Sequence, residues 1–186
     1  MDIIFNIDKN IILYMNQTIP NYPIIKNIFS FITHLGDSGF IWIALGIFLI
    51  LKKSTRKNGI IMLISLAVGS IIGNGILKNL FERPRPFVEF SLVPFIPEPH
   101  GFSFPSGHSM ASFVGATCIY YTNKKFGILA YILAILIALS RTILIVHYPS
   151  DVITGSILGI FVALLVIFIC SKKFNYFNNK NNWFLL

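Results

Sequence analysis

Charge is scarce in this chain. Only 12% of its 186 residues are Asp, Glu, Lys or Arg, about half the share usual in a soluble globular domain. That excludes intrinsic disorder, a charge-laced coiled coil and an ordinary water-soluble domain. Acidic residues are scarcer still, seven against fifteen basic ones, so no metal site is expected. There are two cysteines, Cys118 and Cys170, both inside apolar stretches. They read as reduced structural thiols. No repeat, low-complexity linker or second domain interrupts the sequence, which points to one domain over 1–186. The N-terminus lacks a leader-like run, because Asp2, Asp8 and Lys9 interrupt its first twenty residues.

Apolar side chains are abundant instead, at 55% of residues. Five long apolar segments run Phe40–Leu51, Gly59–Leu80, Pro105–Thr122, Phe126–Val146 and Val152–Cys170. Four approach the roughly 20 residues that cross a bilayer as a helix. The expected fold is therefore all-α, a polytopic membrane helical bundle of about five transmembrane helices with its core over 37–171. Asp37 is expected to cap the first of them. Residues 1–36 are broken by Pro20, Pro23 and several polar side chains. They are expected to form two short interfacial helices, with a short crossing at about 23–36 left open. Residues 172–186 are expected to be a tail.

The charges sort by segment. Lys52, Lys53, Arg56 and Lys57 lie between the first two spans, Lys124 and Lys125 between the third and fourth, and Lys172 and Lys173 after the fifth. All fall on one side if every segment crosses, and no acidic residue joins them. The positive-inside rule makes that side cytoplasmic. All seven acidic residues then map to the outer side. The expected partner is the bilayer, with no nucleic acid implied. Gly69 and Gly73, and likewise Gly155 and Gly159, are spaced to let another helix approach closely.

The polar residues with chemistry collect at the outer ends of the spans. Lys78 and Arg85 are seven apart, and Pro84 and Pro86 end the helix between them. Charge at the membrane edge is expensive and reads as functional, although snorkelling would also explain these two alone. In Phe104-Pro105-Ser106-Gly107-His108, Pro105 suits the first helical position. The N–H groups of Ser106, Gly107 and His108 would then point outward as an anion site, with the Ser106 hydroxyl as a further donor. Arg141 presents a planar fork that matches phosphate oxygens. His147 and Asp151 flank a helix entry expected at Pro149, where a carboxylate can fix the imidazole tautomer. Three cations, a helix N-terminus and two histidines form a kit for phosphoryl transfer without a metal or other cofactor. These residues alone leave open which histidine is nucleophile and which is acid.

Lys78-x6-Arg85-Pro86, Pro105-Ser106-Gly107-His108 and Ser140-Arg141-x5-His147-x3-Asp151 together resemble the three-part signature of the type-2 phosphatidic acid phosphatase superfamily. That resemblance implies roles. His147 would attack phosphorus and form a phosphohistidine, Asp151 would orient it, and His108 would protonate the leaving oxygen. Lys78, Arg85, Ser106, Gly107 and Arg141 would hold the phosphate oxygens. It also implies a membrane lipid phosphatase, similar in its small core to bacterial undecaprenyl-pyrophosphate phosphatases. It would sit in a bacterial plasma membrane with its site facing outward. Phosphatidylglycerophosphate, phosphatidic acid and lipid A phosphates are alternative substrates. A non-catalytic lipid-phosphate binder or transporter, and a vanadium-dependent haloperoxidase, are rival readings. His34 reads as structural, His100 and the Phe-rich stretch 87–104 as neighbours of the site, and Arg83 as its rim.

Overall fold

The computed structural model describes the backbone of residues 2–181 and the side chains of residues 3–171. Helices carry all its regular secondary structure among those residues. They are α1 (Asp2–Thr18), α2 (Pro23–Leu35), α3 (Phe40–Leu51), α4 (Arg56–Ser70), α5 (Lys78–Phe81), α6 (Pro86–Glu89), α7 (Gly107–Thr122), α8 (Lys124–Ile143) and α9 (Pro149–Asn181). A π-helical stretch, Ile71–Leu77, joins α4 to α5.

Helix α7 is the axis of the bundle and packs against α4, α8 and α9. Its small residues explain why. Ser109, Ser112, Gly115 and Ala116 are buried along it, so three neighbours can close on it. A Cβ at Gly155 would lie 2.5 Å from the Ser106 carbonyl oxygen, and one at Gly159 would lie 2.5 Å from that of Met110. The glycine spacing read from the sequence thus brings α9 into backbone contact with α7. Trp42 of α3 is fully buried and donates to Ser112 Oγ at 3.1 Å. Large apolar side chains that remain exposed, such as Phe48, Ile132, Ile157 and Phe168, ring the outside, as expected of a protein whose solvent is lipid.

Four described stretches are long and apolar enough to cross a membrane: Pro23–Leu51, Arg56–Glu89, Lys124–Ile143 and Pro149–Ser171. This differs from the five expected in two ways. Helix α7 has only 16 residues, because the chain before it is irregular. The first stretch begins at Pro23, because α2 leads into α3 through a turn at Asp37–Gly39 with Ser38 and Gly39 at positive φ.

Expected caps also move. Asp37 does not cap α3, whose N-cap is Gly39 in the left-handed region. Pro105 lies before α7 and not in its first turn; Ser106 is the N-cap and accepts from the Ser109 N–H. The N-terminal helices are more than a surface layer, since Asp8, Ile12, Ile19 and Thr33 are all buried. The side chains of Lys172 and Lys173, and the tail from 182 onward, lie outside the described residues.

Candidate active site

Three structural features aim the polar residues inward. The first is the π-helical stretch, whose widened turn precedes Lys78; π-bulges recur at functional sites. Lys78 Nζ donates to the Phe102 carbonyl at 2.7 Å. The second is the chain from Glu82 to Pro105, irregular apart from α6. Within it Arg85, in extended conformation, is held by the carbonyls of Gly101 (2.8 Å), His100 (3.1 Å) and Val146 (3.0 Å). The third is the turn between α8 and α9, where Ile145 at φ 54 folds Val146 and His147 back. Both of their N–H groups donate to the Arg141 carbonyl at 3.1 Å.

These features meet around one cavity of about 480 Å³, lined at its polar end by Lys78, Arg85, Gly107, His108, Arg141 and His147. Ser106 and Asp151 are fully buried behind that wall. The remaining lining is mostly apolar, including Ile43, Leu63, Leu66, Ala67 and Val114. A phosphate-sized anion at one end and a hydrocarbon along the other would suit this division. Arg141 is 2% exposed, and its Nη1 donates to Thr33 Oγ1 at 2.5 Å. Among the described residues its buried Nε has no hydrogen-bond partner, an expensive state for a cationic donor unless an anion supplies the acceptor.

The chemistry of His147 follows from its donors. Arg85 Nη1 lies 3.2 Å from His147 Nε2. A guanidinium can only donate, so Nε2 is the unprotonated nitrogen and Nδ1 carries the hydrogen. Nδ1 lies 3.3 Å from Ser103 Oγ and 3.5 Å from Asp151 Oδ2. The serine in turn donates to Asp151 Oδ2 at 2.5 Å. The expected direct His147–Asp151 bond is therefore relayed by Ser103, with the carboxylate slightly beyond direct reach. The Tyr148 N–H takes up the same oxygen at 3.0 Å. The imidazole is fully buried, and burial, reinforced by Arg85, Arg141 and Lys78, pushes its pKa well below 6.5. It is neutral near pH 7, with a lone pair on the nitrogen that Arg85 marks.

The α7 N-terminus differs from expectation in one respect. The Ser106 N–H is taken by the Asp151 carbonyl at 3.1 Å, because α9 closes against it. Gly107 and His108 are the residues of that turn that line the cavity. His108 Nε2 bonds Asp37 Oδ1 at 2.9 Å, and His34 Nδ1 bonds Asp37 Oδ2 at 2.8 Å.

The model of the PAP2 superfamily matches residues 58–175, most of the chain. The chain belongs to the PAP2 superfamily. It is 31% identical over 164 residues to "Undecaprenyl-diphosphatase" of Sulfolobus acidocaldarius, covering 87% of this chain and 79% of that protein. It is 32% identical over 162 residues to "Phosphatidylglycerophosphatase B" of Bacillus subtilis, covering 77% and 74%. The crystal structure of a transmembrane PAP2 type phosphatidylglycerolphosphate phosphatase from Bacillus subtilis superposes with TM-score 0.75 at 28% identity, over 92% of this chain and 88% of that one. As a membrane-embedded PAP2 protein, the chain is a lipid phosphatase.

The roles of four residues around this PAP2 site escape sequence reading. Ser103 sits between histidine and aspartate, and Asp37 pairs with His108. Buried Asp8 and half-buried Arg83 form a cluster behind Asp151, with Arg83 Nη1 donating to Asp151 Oδ1 at 2.6 Å. Arg83 is thus no rim residue. The sequence offered only polarity in an apolar context as a signal for any of them. His100 is exposed, and its contribution is a backbone carbonyl.

Proposed function

We propose that this protein hydrolyses a polyprenyl pyrophosphate, of which undecaprenyl pyrophosphate is the best candidate, through a metal-free phosphohistidine mechanism at the extracytoplasmic face of the membrane. The observation that carries this reading is the single cavity with three cations and two imidazoles at one end and apolar walls at the other. Such a space takes a phosphate and a hydrocarbon together. Relatives named for undecaprenyl diphosphate hydrolysis, in Sulfolobus acidocaldarius and Bacillus subtilis, support the choice of lipid.

The proposed chemistry runs in two displacements. In the first, the His147 Nε2 lone pair forms a bond to phosphorus while the bond to the leaving oxygen breaks. His108 gives that oxygen its proton. Lys78, Arg85, Arg141 and the Gly107 N–H take the charge that spreads over the remaining oxygens. Positive charge arriving on the imidazole is answered through Nδ1–H by Ser103 and Asp151. In the second, His108 takes a proton from water as the oxygen attacks phosphorus, the P–N bond breaks, and inorganic phosphate leaves.

A second lipid has a specific observation in its favour. The superposed phosphatidylglycerolphosphate phosphatase shares nearly the whole bundle, so phosphatidylglycerophosphate is the runner-up. The deciding experiment measures phosphate release by purified protein in detergent and EDTA. The panel is an isoprenoid pyrophosphate, phosphatidylglycerophosphate, phosphatidic acid and a lipid A phosphate. The expected result is the largest kcat/KM on the pyrophosphate, undiminished by chelator. A preference for phosphatidylglycerophosphate would replace the substrate. Tight binding without phosphate release from any lipid would replace the enzyme with a carrier.

A further inference from the structure

Behind the catalytic pair lies a partly buried ionic cluster that the phosphate chemistry does not touch. Asp8, on the N-terminal helix α1, is 1% exposed. One of its oxygens accepts the Ser150 N–H at 3.0 Å; the other accepts the Ser150 hydroxyl at 2.5 Å and Arg83 Nη2 at 2.7 Å. Arg83 Nη1 reaches Ser150 Oγ at 2.8 Å and Asp151 Oδ1 at 2.6 Å. Its guanidinium lies over the Tyr148 ring, 3.8 Å from the centroid. One cation therefore joins two buried carboxylates, and the aromatic face fixes its plane.

The geometry leaves Asp151 no freedom. Oδ1 is held by Arg83, and Oδ2 by the Ser103 hydroxyl and the Tyr148 N–H. Asp8 holds Arg83 on its far side and also ties down the first turn of α9, where Asp151 sits. Without Arg83, the carboxylate would be buried with one oxygen bare, and it would turn or take up a proton. Without Asp8, the full charge of Arg83 would fall on Asp151 and weaken its hold on the proton shared along the relay.

We propose that Arg83 and Asp8 are positioning residues for the phosphoryl-transfer step, keeping Asp151 ionised and aimed, through Ser103, at His147. Neither lines the cavity, so neither binds the phosphate. The inference rests on the proposed role of His147 as nucleophile, and the experiment below separates the two.

Arg83→Gln, Arg83→Lys, Asp8→Asn and His147→Ala are purified in detergent, and turnover of an isoprenoid pyrophosphate is measured per mole of folded, monodisperse protein. Arg83→Gln is expected to lower kcat about 10- to 100-fold with KM unchanged, the range seen when a residue that orients a metal-ligating side chain is lost. Asp8→Asn is expected to lower kcat by about tenfold. Arg83→Lys keeps the charge but cannot fork to two carboxylates, so it recovers part of the loss. A purely structural cluster would reduce the yield of folded protein and leave kcat per folded molecule alone. If Arg83→Gln does not fold, Asp8→Asn and Arg83→Lys carry the same kcat-against-KM comparison. The proposal is overturned if His147→Ala is inactive while the folded cluster variants keep kcat within about twofold of wild type. It is equally overturned if they raise KM alone. An active His147→Ala would instead overturn the nucleophile assignment and this inference with it.

Discussion

His147 shows how a residue's surroundings decide its chemistry. Burial first, and then the charges of Arg85, Arg141 and Lys78, hold its imidazole well below the ordinary 6.5. Above pH 6.5 the ring is neutral both folded and unfolded. As pH falls, the unfolded chain takes up a proton that the folded chain refuses, so folding stability is lost from about 6.5 downward. The limiting slope is about 1.4 kcal/mol per pH unit. The apparent melting midpoint in detergent should therefore fall between about pH 7.5 and about pH 5.5, and His147→Gln should flatten that fall. An unchanged slope in the variant would contradict the buried neutral imidazole. For turnover, His147→Ala and His108→Ala should each remove at least about 10⁴-fold of kcat, the scale of losing a member of a catalytic unit. Near-normal rates in a folded variant would refute its role. At this scale the residues of the three motifs were legible, because each pairs an unusual charge or imidazole with a helix end in an apolar sequence. Their supports were not. Ser103, Asp37, Asp8 and Arg83 reach partners 44 to 142 positions away, and no local pattern encodes such a pairing.

The helices carry the next level of the argument. Long apolar runs and paired glycines disclosed α4, α8 and α9 and the close approach of α9 to α7. The break at Asp37–Gly39 was legible as a helix start but not as a turn continuing from α2, and the π-helical stretch at Ile71–Leu77 left no mark in the apolar pattern, since it falls in sequence that reads as helix on either side. Closure of α9 on α7 matters because it sets the Ser106–Asp151 backbone bond, and with it the spacing between the two halves of the site. Gly155→Ala places a methyl where the Ser106 carbonyl already stands. It should destabilise the protein by about 1–3 kcal/mol, the usual cost of overpacking, and should lower kcat as Ser106 and Gly107 are displaced from His147. Ile157→Leu, on the outward face of the same helix and 61% exposed, should change neither. Thermal unfolding in detergent and turnover per folded molecule check both. Equal behaviour of the two variants would mean that helix spacing does not govern the site.

Over the whole molecule, the distribution of charge relates the site to the bilayer. Lys78, Arg141 and the α7 N-terminus stand at one end of the bundle. Arg56, where α4 begins, and Lys124, where α8 begins, stand at the other ends of the same helices. A 20-residue helix such as α8 spans about 30 Å, roughly the thickness of the hydrocarbon core. The lysine-rich turns at 52–57 and 123–125 would thus meet one headgroup layer, and the cavity the other. Reversing the orientation would put the acidic side chains of Asp37, Glu82, Glu89 and Glu98 on the cytoplasmic face and carry the basic turns across the membrane, against the positive-inside rule. We therefore expect Val93→Cys, at a position 80% exposed in the irregular chain beside the site, to react with a membrane-impermeant maleimide added to intact cells. Lys125→Cys should react only after lysis. Both would be made in a Cys118→Ala/Cys170→Ala background with turnover retained as the check on folding. Labelling of Lys125→Cys from outside, with Val93→Cys protected, would turn the molecule over. The lipid phosphate would then have to be met from the cytoplasm, while the proposed phosphohistidine chemistry would be unaffected.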